Sequence, residues 1–163
     1  MLNLEYEHTK EFSPSINEHV YNILKEKFQS ISVGDHTCFV FKIDPVPKPR
    51  MVSSDKYKRR EATSRYWAFK DQLRIKANLY GLTHLPGKIA CILFYLPMSQ
   101  SWSAAKKEKM RWTPHQQRPD LDNLLKGLQD ALCSEDKHIY EITGPLGKYW
   151  GDVGEIYITV SLT

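Results

Sequence analysis

Apolar positions along this chain change period several times, and each change marks an element. Over residues 15–29, Ile16, Val20, Ile23, Leu24 and Phe28 recur at helical spacing, and Ser15 with Glu18 forms a capping-box pattern. The spacing predicts an amphipathic helix ahead of everything chemical in the chain. Residues 37–44 alternate instead, with Phe39, Phe41 and Ile43 on one face, as a strand does. Pro45, Pro47 and Pro49 then end the strand and force an extended segment that presents Lys48 and Arg50. Residues 51–60 read as a mobile basic loop. Helical spacing returns over 62–80 through Ala62, Tyr66, Phe69, Leu73, Ala77 and Tyr80, with Gly81 as the stop. The other face of that helix carries Arg65, Lys70, Arg74 and Lys76, while Trp67 is expected in the core.

Residues 88–96, KIACILFYL, are a continuous apolar run of strand length, which predicts a central strand covered on both faces. Ser103 is placed to cap a short basic helix, AAKKEKMRW, and residues 113–118 form a linker. Leu121, Leu124, Leu125, Leu128, Ala131 and Leu132 then make a buried helical stripe, with Pro119 fitting the first turn. Residues 137–143 and 154–162 read as strands, the second turning Ile156, Ile158, Val160 and Leu162 inward. Between them, GPLG and WGDVG read as turn chemistry. The pattern predicts an α/β (α+β) fold: a single mixed β-sheet flanked by helices. Residues 1–35 form an accessory helical extension and 36–163 the main domain.

The length of 163 residues suits one domain with a substantial core. No run approaches the ~18 apolar residues of a membrane span, and the acidic, polar start is unlike a secretory signal. Cys38, Cys91 and Cys133 are an odd number, far apart, without metal-ligand spacing. They read as buried free thiols in a reducing cytoplasm, and their spacing argues against zinc.

Net charge of +4 hides strong segregation. Residues 42–76 hold eleven Lys and Arg against four acids, and residues 106–118 five against one. That surplus points to a polyanionic partner, most simply nucleic acid. Lys48, Arg50, Lys56, Lys58, Arg59, Arg60, Lys106, Lys107 and Lys109 are the candidate DNA-binding residues, since backbone contacts of this kind release counterions. Trp102, Trp112 and Tyr57 are candidates for stacking on unpaired bases.

The acids gather elsewhere. Asp120, Asp122, Asp130, Glu135, Asp136 and Glu141 surround Lys126 and Lys137. Asp120 and Asp122 fall at a helix N-terminus, where the dipole favours negative charge; Asp120 also suits an N-cap, and Asp122 with Lys126 an i, i+4 pair. Asp130 reads as solvent-facing. A strand returning from the helix end brings Asp136 back towards Asp120 and Asp122. Three converging carboxylates repel unless a cation lies between them. All-oxygen ligands favour Mg²⁺ or Mn²⁺, and the spacing excludes a calcium EF-hand loop.

The run RPDLDNLLKGLQDAL followed by EDKHI resembles the signature of the RusA family of Holliday-junction resolvases, a Pro-Asp-x-Asp-Asn-x-x-Lys helix with an acidic pair at the next strand. PVPKPR, SWSAAKKEKM and KYWGDVGEIYITV resemble flanking segments of that family, so the likeness spans about residues 38–163. It implies a small homodimer that cuts four-way DNA junctions with Mg²⁺. By position, Asp120, Asp122 and Asp136 correspond to the metal-binding acids and Lys126 to the catalytic lysine. Where the family often carries Asp-Asp, this chain has Glu135-Asp136.

Phosphodiester hydrolysis at such a site needs relief for charge building on the phosphate. Lys126 is assigned electrostatic stabilisation and not the role of base. His115 and His138 read as structural before proton shuttles. Rival readings are a looser fork or flap nuclease, a non-catalytic DNA-binding or regulatory protein, and a D-x-D nucleotide-sugar transferase. The transferase lacks a recognisable nucleotide-phosphate loop.

Overall fold

The computed structural model describes residues 16–27, 36–57, 60–133 and 137–161. In chain order the elements are α1 (Glu18–Lys27), β1 (His36–Phe41), a 3-10 turn (Ser53–Lys56), α2 (Glu61–Leu79), β2 (Lys88–Pro97), α3 (Ala104–Met110), α4 (Leu121–Leu132), β3 (Glu141–Ile142), β4 (Leu146–Gly151) and β5 (Glu155–Ser161). The strands form one mixed sheet, as expected. β5 lies antiparallel between β1 and β2. Along the other edge of β2, β3 pairs with its start and β4 with the rest, both parallel.

Both faces of this sheet are covered, which is why β2 is apolar throughout. On one face α2 contributes Tyr66, Phe69 and Leu73 and α4 contributes Leu124, Leu128, Ala131 and Leu132. They meet Ile92, Phe94, Leu96, Ile156 and Ile158. On the other face α1 lays Val20 and Leu24 over Cys38, Val40, Leu93, Tyr95 and Tyr157. A register irregularity at Ile89–Cys91 lets Ala90 and Cys91 both join this second face. Three buried free thiols, Cys38, Cys91 and Cys133, agree with the sequence reading. Burial pushes the Cys38 thiol up to about 12.

α1 is held by polar contacts as well. Asn17 caps it, its Oδ1 accepting from Val20 N at 2.9 Å, whereas the expected cap Ser15 and the apolar Phe28 lie outside the described residues. His19 Nδ1 lies 2.8 Å from the Tyr95 hydroxyl. Its ring also stacks parallel on Trp112 at 6.1 Å and edge-on to Tyr149 at 4.7 Å. Asn17 N donates to the Tyr157 hydroxyl, which donates in turn to the buried Glu155 carboxylate, and Lys42 Nζ reaches that carboxylate at 2.7 Å.

Several expectations need correction. The buried stripe of α2 begins at Thr63, and Ala62 is exposed. Lys70, expected on the solvent face, is buried, its ammonium lying 4.5 Å from the centre of the Trp67 ring. Trp67, expected in the core, is 43% exposed, with a cation over its face. Pro119 precedes the cap of α4 and does not stand in its first turn; its peptide bond with Arg118 is cis. The expected strand over 137–143 shrinks to Glu141–Ile142, and much of the expected turn region is β4. Leu162, expected inward, lies outside the described residues.

Candidate functional site

α4 begins with a hydrogen bond from Leu124 N to the carbonyl of Asp120 at 3.1 Å. Asp120 has the extended backbone of an N-cap residue (φ −70°, ψ 145°), yet its side chain makes no capping hydrogen bond. Asp122 stands in the first turn with its side chain 69% exposed. Lys126 Nζ lies 3.4 Å from Asp122 Oδ2, a loose contact between two exposed groups. Two carboxylates therefore stand at the positive end of a helix dipole, held among the described residues by nothing tighter than the Lys126 contact. The capping explanation of Asp120 is not borne out.

Gly127 sets what lies beside this helix. A Cβ there would come within 2.7 Å of the Val46 carbonyl oxygen, so only glycine lets the proline-rich segment press against α4. Lys48 N then donates to the Asn123 carbonyl at 3.0 Å. The Lys48 ammonium, read from sequence as facing DNA, pairs with Asp130 Oδ2 at 2.7 Å. The same oxygen accepts from the Tyr66 hydroxyl at 2.6 Å, so Asp130 is engaged and not simply solvent-facing. Arg74 reaches over from α2, Nε to the Ala131 carbonyl at 2.8 Å and Nη2 to that of Asp130 at 3.2 Å, closing the C-terminal end of α4.

The residues leading into Asp120 run along the free edge of β4. Trp112 N donates to the Trp150 carbonyl at 2.9 Å, Trp150 N to that of Thr113 at 3.0 Å, and His115 N to that of Lys148 at 3.0 Å. The Lys148 ammonium then takes the carbonyls of Gln117 at 2.5 Å and Pro119 at 2.6 Å. Sequence reasoning missed Lys148, because it lies in the strand read as a turn. His115 is buried against the Trp150 ring, centroids 4.0 Å apart, and its Nδ1 has no hydrogen-bond partner among the described residues. Burial, with Lys148 nearby, holds its basicity below the ordinary imidazole value. His138 Nε2 donates to the Leu85 carbonyl at 2.7 Å, a structural contact at the start of β2.

Among the other expected DNA-binding residues, several are open to solvent. Arg50, Lys56 and Arg60 are exposed, and Arg60 Nη2 donates to the Arg50 carbonyl at 2.6 Å, bracing the loop. α3 presents Lys106 and Lys109 to solvent and Lys107 half-buried; its cap is the expected one, with Ser103 Oγ accepting from Lys106 N. Of the stacking candidates, Tyr57 is 92% exposed. Trp102 is covered by Trp150 and by the Lys106 ammonium 4.1 Å from its ring centre, and Trp112 by His19. Lys58, Arg59, Glu135 and Asp136 lie outside the described residues. Among the described residues no three His, Cys, Asp or Glu side chains gather as a metal site.

Asp120 and Asp122 nonetheless fit two positions of a hard-cation site: both are exposed oxygen donors, and among the described residues Asp120 makes no capping hydrogen bond and Asp122 only the loose contact with Lys126. No helix among the described residues is long and apolar enough to cross a membrane. No curated protein and no solved structure matches the chain. The family model described as endodeoxyribonuclease RusA matches residues 42–161, which takes in the proline-rich segment, α2 to α4 and all strands but β1. The chain belongs to the RusA endodeoxyribonuclease family, a family of junction-resolving endonucleases.

Proposed function

We propose that this protein resolves four-way DNA junctions by paired, divalent-cation-dependent phosphodiester hydrolysis, acting as a homodimer. The observation that carries the reading is the pair of uncapped carboxylates, Asp120 and Asp122, at the start of α4. With Asp136 they would hold Mg²⁺ or Mn²⁺. Such an ion, when bound, makes a water nucleophilic near neutral pH and polarises a phosphoryl oxygen. Lys126, only loosely held by Asp122, is free to swing its ammonium onto the phosphate as negative charge develops there. The margin from Arg50 to Arg60, with α3, contacts the sugar-phosphate backbone, which positions DNA without reading its sequence.

Helix length favours a source for Asp136 outside its own chain. The twelve residues of α4 span about 18 Å. Asp120 lies at the end held by Lys148, whereas Leu132 and Cys133 line a cavity with Leu82 and Thr83 at the other. The described chain resumes at Lys137, and His138 is bonded to Leu85. The described residues on either side, Cys133 and His138, thus lie towards the end of α4 remote from Asp120. The proposal therefore takes the third carboxylate from a second copy across a two-fold axis.

The test is incubation of labelled four-way junction, flap and duplex DNA with the protein, in Mg²⁺ or in EDTA. Symmetric paired cuts confined to the junction and abolished by EDTA are expected. Asp122→Asn should remove cleavage while leaving junction binding intact. Cutting of flaps at the same rate would favour the looser nuclease, and cleavage in EDTA would end the metal reading.

A further inference from the structure

We infer that Lys148 is a positioning residue for the Asp120 and Asp122 carboxylates, an inference that rests on the cation-dependent reading above. Backbone pairing between β4 and the segment that leads into the site ends at His115, whose N–H donates to the Lys148 carbonyl. Between that point and Asp120, Lys148 takes over with its side chain. One ammonium donates to two carbonyls, that of Gln117 at 2.5 Å and that of Pro119 at 2.6 Å. The Pro119 carbonyl belongs to the peptide unit whose nitrogen is that of Asp120. Fixing its oxygen fixes the plane from which Asp120 departs, and hence where the helix begins and where Asp122 stands within it.

The residue type suits the task. An ammonium is compact and offers three tetrahedral donors, so one lysine can serve two carbonyls two residues apart. Its backbone is rigid: Lys148 sits within β4, paired to Phe94 of β2 on one side and bonded to His115 on the other. His115, buried against Trp150, fills the space beside it. Asp120 makes no cap bond of its own, so the start of α4 depends on such an outside tether. A site held on a strand through an intervening side chain keeps its geometry better than one left to a loop.

The experiment uses the full chain as wild type, Lys148→Met, Lys148→Arg and Asp122→Asn. Manganese uptake is titrated calorimetrically without DNA, junction affinity is measured in EDTA, and thermal midpoints are recorded. Lys148→Met is expected to weaken manganese uptake by about tenfold or more, with junction affinity changed by less than about threefold. Lys148→Arg, which keeps paired N–H donors, is expected to recover most of the loss. Uptake by Lys148→Met equal to or tighter than wild type overturns the assignment. So does a joint loss of uptake, junction affinity and thermal midpoint, the mark of a general structural role. A wild type that takes up no more manganese than Asp122→Asn overturns the metal reading itself, and the role of Lys148 with it.

Discussion

At the scale of single residues, the acids of α4 divide into engaged and free. Asp130 takes two donors on one oxygen, Lys48 and Tyr66. Burial alone would push its carboxyl up, but the hydrogen bonds from Lys48 and Tyr66 outweigh that and hold it below the ordinary carboxylate value. A depressed folded-state value contributes stability above the unfolded pKa, lost as pH falls through the folded one. Asp130→Asn is therefore expected to cost about 1–2 kcal/mol near neutral pH, with the gap to wild type closing in strong acid. Urea midpoints across a pH series measure both. Asp122 is the opposite case: its only described partner is a loose, exposed lysine. Its neutralisation should change stability by less than about 0.5 kcal/mol while removing cleavage.

At the scale of elements, the contact between α4 and the proline-rich segment is made by a missing atom. Gly127→Ala improves helix propensity by about 1 kcal/mol, yet its Cβ would press on the Val46 backbone oxygen at 2.7 Å. Backbone cannot swing aside as a side chain does, so the variant is expected to lose about 1–3 kcal/mol net. Junction affinity should fall too, because Arg50 moves with the segment. Thermal melts and gel-shift titrations of the purified variant check the two effects.

The same elements show what a sequence can disclose. The stripe of α4 was legible because one helical face is buried and the other is not, and the D-x-D and Lys126 followed from its phase. β4 was not legible. Gly147 and Gly151 remove strand signal, and at Gly147 a Cβ would lie 2.9 Å from the Tyr149 ring. With β4 went the tether of Lys148. Lys70 misled because its charge is covered by aromatic faces and not by water. Asp120 was readable as a cap by type, but only geometry reveals that it does not cap.

At the scale of the molecule, a shared site makes a sharp prediction. Asp122→Asn and Asp136→Asn should each be inactive alone. Mixed and re-associated, roughly half the dimers carry one of each, and one of their two sites is then intact if the carboxylates come from different copies. Such a mixture is expected to nick junctions on one strand, read as restored single-strand scission on a denaturing gel. Sites contained within one chain would stay dead in every mixture.

α1 and β1 precede the matched residues 42–161, yet α1 roofs one face of the central strands and β1 pairs with the edge of β5. Pruning the gene to the family core would strip that roof. It would leave Leu93, Tyr95 and Tyr157 bare to water and the rim of β5 unpaired, an adhesive surface with a ready template for strand addition. A minimal version of this nuclease is thus expected to clump before it can be assayed, and any aggregate it forms would say nothing about how the native molecule pairs.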